Sequence, residues 1–112
     1  MHIDGQQTLG ESIADLAGLK AAHAAWRASL GGEDAPVIDG LTGEQRFFLA
    51  FAQAWRGKMR DAALRAQVIG NEHAPGPWRA LTVRNLDAWY PAFDVQEGET
   101  LYLAPEDRVR IW

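Results

Sequence analysis

The chain contains no cysteine, which excludes disulfides and thiolate metal centres and leaves its redox compartment open. It also lacks a basic surplus: eleven Lys and Arg face fifteen Asp and Glu, for a net charge of −4. The cations are scattered, so the electrostatic footprint of a nucleic-acid binder is missing. No apolar run reaches the roughly 20 residues of a membrane span, and the first residues lack the basic and apolar regions of a secretion signal. Repeats, linkers and low-complexity stretches are absent too. What is present is ordinary globular composition over 112 residues, 47% apolar and 23% charged, enough for one core. Five Trp in so short a chain mean that the core or a pocket leans on large aromatic surfaces.

The patterning predicts a mainly α-helical protein with little strand, one unit over residues 1–112. Residues 1–7 are polar and read as a loop. Thr8 with Glu11 matches a capping box, opening a helix that runs to about Leu30 and ends at Gly31-Gly32. Ile13, Leu16, Leu19 and Trp26 form its apolar stripe. Ala14, Gly18, Ala21 and Ala25 form a row of small residues. Gly18 costs about 1 kcal/mol relative to Ala inside a helix, so a second helix packed close to it is the expected reason. Thr42 and Gln45 make another capping box, and Phe47, Phe48, Phe51, Trp55 and Met59 carry a thick apolar face to about Lys58. Asp61 to Val68 suits a third helix ending at Gly70. Residues 71–79, with Pro75-Gly76-Pro77, are expected to be irregular. Asn85 suits the cap of a short helix reaching Phe93, and Arg108 to Trp112 alternates like a strand.

Few residues offer chemistry. Glu11 and Asp15 stand four apart, which stacks two like charges on one helix face, a conflict worth a few tenths of a kcal/mol. Their plain reading is a capping acid and a solvated one near a positive helix end. Their functional reading is a metal ligand and an acid that orients a ligating histidine. His73 and Arg79 flank the Pro-Gly-Pro turn. Such residues are most often simply exposed, yet a rigid turn also suits donors aimed at a developing oxyanion. Trp55, beside Ala54, reads first as core and second as pocket wall. His2 and His23 lack a partnered context and receive no role.

In order, these pieces resemble the C-terminal portion of the neprilysin and endothelin-converting-enzyme family of zinc metallopeptidases. The anchors are Gly5 to Asp15, Leu41 to Gln45 with Phe47 to Trp55, His73-Ala74-Pro75-Gly76 with Arg79, Asn85 with Ala92-Phe93, and Pro105-Glu106 to Arg110-Ile111-Trp112. Each is weak alone, and five in one register make a specific match. The resemblance implies the helical C-terminal lobe of a zincin-like, thermolysin-like catalytic domain. It implies that Glu11 is the third zinc ligand and that Asp15 orients a zinc-bound histidine. It further implies that His73 stabilises the tetrahedral intermediate, that Arg79 hydrogen-bonds the peptide backbone, and that Ala54 and Trp55 line the pocket for the residue after the scissile bond. The implied substrates are peptides, and the implied site of action is the periplasm, the exterior or a membrane anchor.

The departures are specific. Arg56, Val95 and Val109 stand where extracellular members carry cysteine, Ser12 replaces the usual Asn, and Ala80-Leu81-Thr82 follows Arg79 in place of Val-Asn-Gly. The largest departure is that His-Glu-x-x-His, source of two zinc ligands and the general base, occurs nowhere in the sequence. The expectation is therefore a C-terminal piece of a peptidase, inactive alone, with zinc in the parent enzyme and none on this piece. On this view the partner that Glu11 and Asp15 need lies upstream. Faces meant for the remainder of the catalytic domain are expected to be exposed, which favours self-association. Two other classes stay open: a non-catalytic peptide-binding or interaction module, and a purely structural helical domain. The last predicts that Glu11, Asp15, His73 and Arg79 are scattered in space.

Overall fold

A computed structural model describes residues 1–112. Helix α1 spans Gly5–Ser29, α2 Gly43–Ala54, α3 Asp61–Gly70, α4 Gly76–Ala80 and α5 Trp89–Ala92. Single 3-10 turns cover Leu81–Asn85 and Pro105–Asp107, and there is no strand beyond an isolated bridge between Ile38 and Leu41. The chain is mainly α with little strand, as its patterning predicts.

Helix α1 starts three residues before the expected cap. Asp4 takes that role, its carboxylate accepting from the Gln6 and Gln7 amides. Thr8 instead lies buried in the first turn, its hydroxyl donating to the Asp4 carbonyl at 3.1 Å. The Thr8–Glu11 capping box does not form, so Glu11 is free of capping duty. An Asp followed by three residues without a β-branch was the competing signal, and Asp caps at least as well as Thr. Gly31 and Gly32, at φ of 61° and 88°, turn the chain away after α1, in a region that L-residues avoid.

The capping box of α2 forms as expected, Gln45 accepting from the Thr42 amide and Thr42 from the Gln45 amide. The helix stops at Ala54, four residues short of Lys58, and Trp55 becomes its C-cap. Met59 lies outside it and is exposed. Residues 71–75 are irregular, but Gly76–Ala80 is a helical turn with Pro77 in its first positions. A proline there loses no helical hydrogen bond, which is why the Pro-Gly-Pro run starts a helix as well as breaking one. Asn85 caps nothing: its carbonyl oxygen accepts from the Val109 amide at 2.8 Å. Arg108 to Trp112 has no neighbouring strand and runs as irregular chain pinned by side chains.

The core joins α1, α2, the 81–85 turn and α5 through Leu16, Leu19, Phe48, Val83, Leu86, Trp89 and Tyr90. His23, given no role above, is a clasp between the first two helices. It stacks on Phe48, meets Phe47 edge-on and lies 2.7 Å from the Glu44 carboxylate. The core is thin, with 12 of 112 residues buried. The radius of gyration is 15.5 Å, against about 13 Å for a compact domain of this length. Ala14, Gly18, Ala21 and Ala25 are all exposed, and nothing packs on Gly18. No helix of the chain approaches Gly18 closely, so the close packing expected there does not form.

The C-terminal segment is held by Asp87, which accepts from Arg110 at 2.9 and 3.0 Å and from Arg108 at 2.9 Å. The hydrogen bonds from Arg110 and then Arg108 hold its carboxyl at about 2, down from 3.8. A depressed acid stabilises the fold fully above its unfolded pKa, and that contribution is lost as pH falls through the folded one. The window is therefore from about pH 4 down to about pH 2. The effect on stability is small because the Asp87 side chain is 57% exposed. NMR titration of this carboxyl is expected to give a midpoint near 2, and Arg110→Gln to move it upward. An unshifted midpoint in the variant would refute the pairing.

Candidate active-site face

Glu11 and Asp15 project from one face of α1, and the loop after α3 and the short helix α4 bring His73 and Arg79 to meet them. Gln67 of α3 donates to the His73 carbonyl at 3.1 Å, and Asn71 accepts from both the His73 amide, at 2.8 Å, and its ring Nδ1, at 3.0 Å. The ring is thereby oriented with Nε2 facing the Glu11 carboxylate, 3.1 Å away. Arg79 grips Asp15 with two parallel bonds, Nε to Oδ2 at 2.7 Å and Nη2 to Oδ1 at 2.6 Å. Their side chains are 16% and 12% exposed, so the pair sits largely out of water. Two charge-assisted bonds in fork geometry are the strong form of such a contact. The hydrogen bond from Arg79 to Asp15 is also the main reason that the guanidinium is held above its ordinary pKa.

Trp55 forms the floor. The Arg79 guanidinium lies 3.9 Å from its ring centroid, a stacked cation–π contact. Its indole Nε1 is buried with no acceptor in the chain, an arrangement that costs stability until something supplies one. Gly76 starts α4 against the Trp55 carbonyl, where any Cβ would collide with that oxygen. Glycine is therefore required for α4, and with it Arg79, to reach the Trp55 ring. Ala54 ends α2 as an exposed residue beside this floor.

The structure thus brings Glu11, Asp15, His73, Arg79 and Trp55 to one face from three separate parts of the chain. It also corrects one expectation. The two stacked carboxylates of α1 have partners within the chain, the Arg79 guanidinium for Asp15 and the His73 ring for Glu11, so the charge of Asp15 is offset without any upstream group. Two members of the face were not anticipated: Asn71, which orients His73, and Glu72 beside it. The Asn-x-His spacing was a readable signal, since an Asn side chain often bonds the backbone two residues on. Glu72 gave none beyond adjacency.

Which atoms could hold a metal follows from which are uncommitted. Both Asp15 oxygens accept from Arg79, whereas Glu11 keeps lone pairs free on a half-exposed carboxylate. Glu11 thus fits zinc as a single carboxylate ligand, and zinc in a catalytic site takes three protein ligands.

One face of the helical lobe thus holds a carboxylate with free lone pairs, an adjacent imidazole and a clamped arginine, and comparison with known proteins gives its class, the helical part of a zinc metallopeptidase. The model of peptidase family M13 matches residues 1–109, and the chain belongs to that family. It is 39% identical to the neutral endopeptidase of Lactobacillus helveticus over 111 residues, covering 98% of this chain and 16% of that protein. It is 35% identical to human neprilysin, covering 99% of this chain and 15% of that one. The zinc metalloprotease Zmp1 of Mycobacterium tuberculosis, solved in complex with an inhibitor, is 50% identical with a TM-score of 0.96, covering 99% of this chain and 17% of Zmp1. The chain spans about one sixth of the length of these relatives.

Proposed function

We propose that these residues form part of the active site of a zinc-dependent metalloendopeptidase acting on oligopeptides, and that they are inactive without a stretch carrying His-Glu-x-x-His. The observation that carries this reading is the convergence of Glu11, Asp15, His73 and Arg79 on one face, floored by Trp55. A purely structural helical domain has no need of it. Zinc held by two histidines and a glutamate would polarise the scissile carbonyl and lower the pKa of a bound water to about 7.

In this reading Glu11 is the ligand that this chain contributes. Asp15 holds Arg79 through Nε and Nη2, which leaves Nη1 free to donate to a carbonyl of the bound peptide. The same carboxylate, with a lone pair to spare on each oxygen, remains able to orient a ligating histidine one turn from Glu11. His73, aimed by Asn71 through Nδ1, donates from Nε2 to the developing oxyanion in its doubly protonated form. Ala54 and Trp55 wall the pocket for the residue after the scissile bond. The uncovered groove beside α1, lined by Ala14, Gly18, Ala22, Phe47 and Phe51, is the surface on which the remainder of the catalytic domain packs. In its absence, the same groove is where copies of the chain associate.

The test uses a quenched fluorescent peptide. Residues 1–112 with zinc are expected to leave it intact. Joined to a family portion that bears His-Glu-x-x-His, they are expected to support zinc-dependent cleavage that Glu11→Gln abolishes. His73→Gln should lower kcat by about 10²–10³, the scale of one lost oxyanion donor. Cleavage by residues 1–112 alone, or full activity of the joined Glu11→Gln variant, overturns the proposal.

A further inference from the structure

We infer that this chain on its own carries a second metal site, built from Glu11, Glu72 and His73, that binds a zinc-like divalent transition ion. The carboxylate oxygens of the two glutamates and a ring nitrogen of His73 all lie within 4.8 Å of one another. Glu11 Oε2 and His73 Nε2 are already 3.1 Å apart. Ligand atoms about 2.0–2.2 Å from a tetrahedral zinc sit roughly 3.3 Å from each other, so that edge of the site is close to its bound geometry. Only the third donor must move inward. Glu72 is exposed, and its side chain can swing without disturbing the core.

Three further features favour an ion there. Asn71 holds Nδ1 of His73 by a hydrogen bond of 3.0 Å, so the neutral ring presents its lone pair at Nε2. An imidazole fixed through its other nitrogen is the usual state of a metal-ligating histidine. Two carboxylates balance the charge of a divalent ion, and Arg79, the cation on the same face, is neutralised by Asp15. The mixed nitrogen and oxygen donors suit zinc, copper or nickel better than magnesium or calcium, which prefer oxygen alone. Glu11 is then shared between two alternative ligand sets, one within this chain and one completed from elsewhere. The inference does not rest on the peptidase reading, in which Glu72 has no part.

The test is calorimetric titration of residues 1–112 with zinc chloride, with amide NMR spectra to locate the ion. One ion per chain is expected, shifting the signals of residues 11, 72 and 73 and their neighbours, and excess magnesium should not displace it. Loss of a supporting residue around a metal commonly weakens binding 10–100-fold, so loss of a direct ligand through Glu72→Gln should weaken it at least about tenfold. His73→Gln should do the same. Glu72→Gln is isosteric and exposed, so its fold is expected to be intact by circular dichroism. Absence of binding, unchanged affinity in Glu72→Gln, or shifts centred on His2 or on His23 and Glu44 would each overturn the inference.

Discussion

Replacing Arg79 by methionine is expected to destabilise the chain by about 2–3 kcal/mol, because it strands the Asp15 carboxylate in a largely dry position. Breaking one partner of a fully buried pair costs about 3–5 kcal/mol. The 12% exposure of the Asp15 side chain lets some water in and lowers that figure. Methionine preserves much of the contact with the Trp55 ring, so the loss reports on charge and hydrogen bonding more than on packing. For a domain of this size 1 kcal/mol corresponds to roughly 4–8 °C, so thermal unfolding monitored by circular dichroism should fall by more than 8 °C. The double variant Asp15→Asn with Arg79→Met should recover part of the loss, since a neutral amide needs no cation. Equal melting temperatures for the wild type and Arg79→Met would show that the clamp contributes nothing.

Phe48→Ala should be larger, at about 3–5 kcal/mol by the usual cost of deleting a buried aromatic ring. Phe48 is 2% exposed, the most buried residue in the core. Its ring stacks on His23 at 5.5 Å and meets Phe47 edge-on at 5.3 Å, so it joins α1 to α2. Folded domains hold only about 5–15 kcal/mol in total. A chain with so thin a core therefore has little to spare, and Phe48→Ala is expected to be substantially unfolded at 37 °C. Urea titration gives the measurement. A midpoint equal to that of the wild type would mean that the core is centred elsewhere.

The particular residues show where sequence reading succeeds and where it stops. The capping box at Thr42 and Gln45 was readable because both partners lie within one turn and each side chain accepts from the other's backbone amide. The start of α1 was misplaced because Asp4 and Thr8 both offered local caps, and the choice depended on Thr8 being buried by the rest of the fold. The strand-like alternation of Arg108 to Trp112 failed for a related reason. A strand needs a neighbour to satisfy its amides, and this segment meets the side chains of Asn85 and Asp87 instead. His23 looked unpartnered because its partner, Glu44, is 21 positions away.

The same division runs through the candidate site. Sequence alone determined the helical class, the family register and the identity of Glu11, Asp15, His73 and Arg79 as the residues of interest. These rest on local spacing and on motif order, which the linear chain carries in full. It read Glu11 and Asp15 as two like charges whose partner lies upstream. Only the tertiary structure decided that Arg79, 64 positions along, clamps Asp15, and that His73 turns to Glu11 with Glu72 beside it. The physical reason is that hydrogen bonds and ion pairs act over about 3 Å, and only the packing of α1 and α4 on the 81–85 turn closes so long a separation in sequence to that distance.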